Sequence, residues 1–361
     1  MRMRFLPALI LVFGPTVYAA DEPVRYLRQG DETVAAIVSE RAGVIHTNQI
    51  FWADVKHVLT LLDGSIRNAG GDPMRVVKLN VAVTTQEDAD AARAAIREHY
   101  PPASRPPASF VVGALPMPDR TIGVDAVALA TTRPAMRPVV YISGQAEKGE
   151  STADAAAKTI AALVKTLEFL GSKPQDAVHA TCFLTPMADA EPVAAELERV
   201  FGKKTFSASF IEWKSNLPIE IELIAIAPPA KPDAPPIEYL TPPGMNASPL
   251  FARVVRINHG DLIYTAGLYA DKPGSAEQQV LSIFEQLQRI LKDAGGDMRH
   301  LAKATYYISD GDASKQLNVL RPKFYDPARP PAASKAMVPG VGMKDRSIEI
   351  DMIGVAIDRA E

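Results

Sequence analysis

One motif occurs three times in this chain, and the repetition limits the fold more than any single residue does. Asn68-Ala69-Gly70-Gly71 runs into Arg75-Val76-Val77-Lys78-Leu79-Asn80-Val81, Phe169-Leu170-Gly171-Ser172 into Ala177-Val178-His179-Ala180-Thr181-Cys182-Phe183, and Asp293-Ala294-Gly295-Gly296 into Leu301-Ala302-Lys303-Ala304-Thr305-Tyr306-Tyr307. Gly70, Gly171 and Gly295 stand at the same distance from Lys78, His179 and Lys303. Self-similarity at a long period marks duplicated supersecondary units that bury their apolar faces against one another.

Each glycine follows an amphipathic stripe. Val55, Val58, Leu59, Leu62 and Ile66 repeat at the helical period in the first copy, as do Ile160, Leu163, Val164, Leu167 and Leu170 in the second. Val280, Ile283, Phe284, Leu287, Ile290 and Leu291 form the third stripe, with Ser275 and Gln278 as a capping box at its start. A β-branched alternating segment comes next, then second helices near Glu87–Tyr100, Glu191–Phe201 and Ala313–Tyr325, then two closing strands. A strand pair opens the unit, clearest as Phe251–Asn258 and Leu262–Leu268 around His259-Gly260-Asp261, whereas the second copy lacks a full opening strand. The copy reads β-β-α-β-α-β-β, an α+β unit with helices on one face of a mixed sheet.

The chain of 361 residues has room for three such units. Arg2 and Arg4 precede the apolar run Phe5 to Phe13, and Val17-Tyr18-Ala19-Ala20 supplies small residues for cleavage, the pattern of a secretory signal peptide. A bilayer needs about 20 apolar residues, more than this run provides, so no stable membrane association is expected after cleavage. The expected location is periplasmic or secreted. The reading divides the chain into a signal peptide (1–20), a first repeat (21–130), a second repeat (131–227), a proline-rich linker (228–236) and a third repeat (237–361).

Without Arg2 and Arg4 the chain carries 37 basic and 42 acidic residues, a net charge of −5 with no dense basic run, which argues against a nucleic-acid partner. The single cysteine, Cys182, lies among apolar residues and reads as a buried structural thiol. His46, His57, His99, His179, His259 and His300 show no metal-ligand spacing, and Gly70-Gly71 and Gly295-Gly296 end helices where a phosphate loop would open one. No metal and no cofactor are expected.

Tyr141-Ile142-Ser143-Gly144-Gln145, its relaxed form Tyr264-Thr265-Ala266-Gly267, and the closing Ile219-Glu220-Ile221-Glu222 and Ile348-Glu349-Ile350-Asp351 resemble the RidA/YjgF family of enamine/imine deaminases, also called endoribonuclease L-PSP. The resemblance spans nearly all of the chain after residue 20. Family members form homotrimers of chorismate-mutase-like units, so it implies an intramolecular pseudo-trimer, monomeric because its three units are covalently joined, with small-molecule clefts between neighbours. Deaminating members carry an arginine in a Pro-Ala-Arg-Ser/Thr motif. Here Pro107-Ala108-Ser109, Ser207-Ala208-Ser209 and Ala332-Ala333-Ser334 put serine, or by a one-residue shift alanine, in its place, and Arg105 and Arg329 match an arginine that often precedes the motif.

By the same resemblance Glu349 and Glu220 match a catalytic glutamate that orients water, Gly123 standing there in the first copy. Phe251, Gly267, Asn318, Ser334, Gly144, Ser209 and Ser109 match substrate-binding positions, and the third copy, holding Phe251, Gly267, Asn318 and Glu349, is the expected site. Read without the family, a strand carboxylate is ordinarily a solvated or paired group, a helix asparagine an exposed one, and serines without a partner histidine are not hydrolase nucleophiles. The expected function is an exported RidA-like protein that binds a small carboxylate or carbonyl metabolite between repeats, with hydrolytic deamination weakened by the missing arginine. The alternatives are a non-catalytic binding or scaffold module and a chorismatase-like hydrolase or lyase. The ribonuclease label fits the acidic balance least.

Overall fold

The computed structural model describes residues 22–132, 137–203 and 206–357. The proposed signal peptide and part of the first connector therefore lie outside the described residues. The chain opens with β1 (Val24–Gln29) and β2 (Glu32–Val38), then β3 (Val44–His46), β4 (Ile50–Trp52), α1 (Val55–Asn68), β5 (Gly71–Val83), α2 (Gln86–His99), β6 (Ala108–Val112) and β7 (Ile122–Ala130). The second repeat runs β8 (Val139–Gln145), α3 (Thr152–Phe169), β9 (Ala177–Leu184), α4 (Ala190–Phe201), β10 (Ser207–Glu212) and β11 (Ile219–Ile226). Next come β12 (Ile237–Leu240), β13 (Val254–Ile257), β14 (Asp261–Thr265), α5 (Ala276–Ala294), β15 (Leu301–Ile308), α6 (Gly311–Leu320), β16 (Ala332–Met337), β17 (Gly340–Val341) and β18 (Ile348–Ala356).

The first helices form where the apolar stripes predict. Asp54, Ser151 and Ser275 each accept a backbone N–H at the N-terminus, Ser275 within the expected capping box with Gln278. Gly70, Gly171 and Gly295 take positive φ of 80°, 71° and 94°, the turn that lets each chain leave its helix for the sheet. The second helix of the third repeat is shorter than expected: it ends at Leu320, and a 3-10 turn over Arg321–Lys323 replaces its last turn because Pro322 cannot supply the next helical N–H.

Three mixed sheets result, each with its helices packed on one face. In every repeat the penultimate long strand lies parallel to the strand after the first helix (β6 on β5, β10 on β9, β16 on β15), and the last strand runs antiparallel beside it. This common core confirms an α+β fold built of repeated units.

The opening strands depart from the expected hairpin. Residues in Phe251–Asn258 and Leu262–Leu268 do form β13 and β14, but these strands do not pair with each other. β13 pairs with β8 of the second repeat and carries β12 on its outer side, while β14 pairs with β2 from the chain's start. Gly260, at φ 112° in the short corner between β13 and β14, carries the chain out of one sheet and into the next. The second sheet therefore has the order β10-β9-β11-β8-β13-β12 and the third β16-β15-β18-β14-β2-β1, so strands cross the boundaries drawn from sequence. The first sheet, β17-β6-β5-β7 with β3 and β4 beyond β7, borrows only the short β17.

The faces away from the helices meet at a shared axis. One apolar cluster there joins Val127, Leu129, Ile224, Val255, Tyr264, Ile353 and Val355, another joins Ala82, Val111, Phe183, Ile211, Tyr307 and Val338, and both draw on all three repeats. Cys182 is buried on the helix side of the second sheet, where burial pushes its thiol far up. Among the described residues no helix is long and apolar enough to cross a membrane.

Strand donation has a measurable consequence. Ala36 is fully buried opposite Tyr264, so Ala36→Asp places an uncompensated carboxylate in the wall between β2 and β14. We expect it to lower stability by about 3–5 kcal/mol, read as a fall in the urea midpoint, and to speed amide exchange in β14 and β18 of the distant third repeat.

Candidate functional site

Between the two apolar clusters lies a polar layer made of equivalent residues from each sheet. Lys78, His179 and Lys303 share one position, Asn80, Thr181 and Thr305 a second, and Asp125, Glu222 and Asp351 a third, as the strand registers require. Two ion pairs bridge neighbouring repeats: Lys78 to Asp351 at 3.0 Å and Lys303 to Glu222 at 2.8 Å. The same rotation would pair His179 with Asp125, and it does not. His179 bonds Ser207 and Ser209 at 2.9 and 3.1 Å, while Asp125 takes an N–H from Asn80 at 2.8 Å and keeps its other oxygen unpartnered. Burial pushes the Asp125 carboxyl up to about 7 and drives the His179 imidazole well below its ordinary range, so two cations face two anions and the third position is neutral below about pH 7.

The serines near the absent family arginine belong partly to this layer. Ser109 accepts from Lys78 at 2.6 Å and donates to Asp351 at 2.7 Å, and Ser209 bonds His179, so both are structural. Ala108, not Ser109, faces the cleft between repeats. The structure thus settles the one-residue ambiguity in favour of alanine at the cleft in the first copy.

The expected third-repeat site is divided between two boundaries. Gly267 and Glu349 face the first repeat: the Gly267 N–H donates to Ala108 O at 3.1 Å, and Glu349 accepts from the Phe110 N–H at 3.1 Å. A Cβ at Gly267 would overlap the Glu349 carboxylate, which explains glycine there. Ser334 faces the second repeat instead, with Phe251 beside it in the chain segment that joins β8, while Asn318 is exposed on α6 and bonds Arg321 and Lys335 of its own repeat. Ala252, next to Phe251, pairs with Ala332, and Ser143 links Ala252 O to the Ala333 N–H. Gly144 and Glu220 stand at this same boundary, where a Cβ on Gly144 would strike both Glu220 and Ser334. The division follows from the two sides of the third sheet: Ser334 lies on its edge strand β16, which meets β8 of the second repeat, whereas Gly267 follows β14, which pairs with β2 of the first.

The three boundaries differ chemically. At the third/first boundary Glu349 is fully buried, with Tyr269 OH at 2.5 Å from its second oxygen, and burial pushes its carboxyl up to about 7. Outside it opens a cleft of about 370 Å³ whose walls include Arg93, Arg97, Arg105, Phe110, Tyr269 and Gln286. The Arg93 guanidinium lies 4.3 Å from the centre of the Phe110 ring and donates to Gly342 O at 2.5 Å. Arg97 pairs with Glu32, and the buried Arg105 donates to Asp31 O and Arg97 O.

At the second/third boundary Glu220 is only partly buried, and burial, opposed by nearby Ser334, pushes its carboxyl up to about 7. Lys335 occupies the position of Phe110, with its ammonium 3.1 Å from Ser314 and 3.5 Å from Asn318, and burial lowers its pKa. At the first/second boundary Gln49 closes the space. Its N–H donates to Ala208 O at 3.2 Å, as Gly267 does to Ala108, and its side-chain oxygen accepts from the Phe210 N–H at 2.9 Å, as Glu349 does from Phe110. Gly123, where the other copies have glutamate, leaves room for Gln49 and Phe51. Glycine has changed sides, and a glutamine stands where the other copies have it.

Residues 245–356, the third repeat, match the family model described as endoribonuclease L-PSP. This repeat belongs to the RidA/YjgF family. Solved structures similar to the chain include a YjgF-family protein of Neisseria meningitidis (24% identity, 34% of this chain and 96% of that one, TM-score 0.26). Others are a Rid-family protein of Yersinia pestis (20%, 33% and 98%, TM-score 0.31) and a YjgF-family protein of Mycobacterium tuberculosis (19%, 29% and 85%, TM-score 0.25). None of the curated proteins matches the chain. Among the described residues no group of three His, Cys, Asp or Glu is placed to hold a metal.

Arg93, Lys335, Gln49 and Tyr269 line the boundaries of this RidA-like chain without having been singled out in the sequence. Arg93 sits on the polar side of an ordinary amphipathic helix, and Gln49 in a short segment before α1, so neither carried a signal of its own.

The axial layer predicts a pH dependence. Asp125 has a folded pKa of about 7 against an ordinary 3.8, so the folded state keeps a proton that the unfolded chain releases as pH rises between them. Its contribution is full below pH 4 and is lost as pH climbs through 7. Asp125→Asn should flatten that part of the stability profile and raise stability at pH 8 by about 2–4 kcal/mol, measured by urea unfolding from pH 4 to 8.

Proposed function

We propose that this protein binds a small carboxylate metabolite in the cleft between the third and first repeats, with Arg93 as the anchor that replaces the missing family arginine. The supporting observation is the Arg93 guanidinium over the Phe110 ring at the wall of a 370 Å³ cleft, with the buried Glu349 behind that wall, bonded to the Phe110 N–H. The Arg93 Nη1 pairs with Asp90 at 3.1 Å and its Nη2 donates to Gly342 O, and the remaining N–H groups of this planar donor are left for a ligand carboxylate. A protonated Glu349 removes the negative charge buried behind Tyr269 and Phe110, so binding strengthens as pH falls through about 7. Both Glu349 oxygens are already engaged, by Phe110 and Tyr269, which favours binding over water activation in this cleft.

A second reading, hydrolytic deamination, is favoured by Glu220 at the second/third boundary. It is partly exposed, titrates near 7, and shares its boundary with Lys335, which Asn318 bonds. A carboxylate with such a pKa can exchange a proton with water at neutral pH. Export rests on residues 1–20, and action outside the cytoplasm belongs to the same proposal.

Calorimetric titration with 2-oxobutanoate should show saturable binding that weakens at least tenfold in Arg93→Ala, is partly kept in Arg93→Lys, and falls from pH 6 to pH 8. Binding indifferent to Arg93 and to pH would overturn the first reading. Enzymatically generated 2-iminobutanoate tests the second: faster ketoacid release that Glu220→Gln abolishes supports catalysis, and no acceleration by the wild type removes it.

A further inference from the structure

A larger pocket, distinct from the clefts between repeats, opens at one end of the shared axis. Its volume is about 470 Å³, within the range of sites that enclose a metabolite-sized molecule. It exists because the strand exchange is incomplete. In the second sheet β8 is covered by β13, and in the third sheet β14 is covered by β2. The equivalent strand of the first sheet is β3, and among the described residues nothing pairs with its outer edge. The chain has no hairpin to place there: residues 237–257 supply one before the third repeat, but only residues 131–138 separate β7 from β8. The pocket occupies this gap, bounded by 42–46, the start of β8 and the corner between β13 and β14.

Its chemistry is graded from mouth to floor. The walls are apolar, with Val44, Val139, Val178, Ile224, Ile257 and Leu262 among them. The floor holds the His46 ring, stacked on His179 with centroids 5.3 Å apart, and Tyr264; both also border a small axial cavity of about 50 Å³. Burial and Lys303 hold His46 near pKa 4, so it faces the pocket as a neutral imidazole. The mouth carries Arg41, Arg137 and Lys231 together with Glu40, which accepts the Gly260 N–H at 2.8 Å, and beside it Asp261 accepts the Glu40 N–H at 2.9 Å. Arg137 is paired with Asp176 at 3.1 Å, whereas Lys231 stands exposed on the proline-rich spacer.

We propose that this end pocket is a second ligand site, taking an elongated amphipathic carboxylic acid whose apolar body fills the gap left by the missing hairpin and whose carboxylate meets the cations of the mouth. A β-strand from a partner is a poorer occupant, because β3 offers an edge of only three residues and the turn at residues 39–43 blocks its continuation. Lys231 at the mouth selects an acid over the matching alcohol, and the apolar walls select chain length.

Decanoate, decan-1-ol and butanoate serve as probes in calorimetric titrations of the full chain. Decanoate should bind saturably, at least tenfold more tightly than butanoate, and 2-oxobutanoate should not displace it. Ala42→Trp, at a partly exposed pocket-lining position, should weaken decanoate at least tenfold. Lys231→Glu, on the exposed spacer where folding is not at stake, should weaken decanoate at least fivefold and leave decan-1-ol unchanged. No saturable decanoate binding, binding unaffected by Lys231→Glu, or displacement by 2-oxobutanoate overturns the proposal. Displacement alone would place decanoate in the third/first cleft and leave the carboxylate reading of that cleft intact.

Discussion

The architecture depends on strands given by one repeat to the sheet of another. A sheet edge exposes unpaired N–H and C=O groups, and a unit that surrenders its opening strand must receive one or remain open. The third repeat gives β13 to the second sheet and receives β2 from the start of the chain. The exchange joins the repeats by backbone hydrogen bonds as well as by apolar contact, so no unit is complete by itself. The third repeat also meets a neighbour on each side of its sheet, so its nominated residues occur at two boundaries, with Ser334 on edge strand β16 and Glu349 on β18.

Inside this ring the polar layer holds the sheets in register. Two lysine–carboxylate pairs link neighbouring repeats across the axis, and each would be costly to break, because the surviving charge would be left buried. Where histidine replaces the third lysine, the partner aspartate protonates near neutrality and the pair is silent. The substitution leaves the layer electrically balanced. The outer clefts have diverged further: one is plugged by Gln49, one presents arginines over a sealed glutamate, and one keeps a partly exposed glutamate beside Lys335. Three copies in one chain permit this, since a change in one boundary need not appear in the others.

The helices and inner strands were legible in the sequence because their signals are local. The three apolar stripes, the capping pair Ser275 and Gln278, and the glycines at positive φ all reappear in the structure. The pairing of β13 and β14 was misread because a short turn between two alternating segments signals a hairpin, and nothing in those residues tells which sheet each strand joins. The same non-local choice hid the division of the site. Arg93 and Gln49 went unremarked for a related reason: their roles come from what faces them, Phe110 in one case and the Phe210 N–H and Gly123 in the other, and periodicity records neither.

The arrangement of β1 and β2 also bears on how the molecule is made. These strands leave the ribosome well before β14, their partner, which begins at Asp261. Until β14 has emerged, the β1–β2 hairpin has no sheet to join, and the third sheet can close only after β18 is available. Contacts separated this widely along a chain close slowly and leave edges open to wrong pairings. Ring closure by the first and last strands thus makes assembly all-or-none, and a truncated product would lack more than the residues it lost.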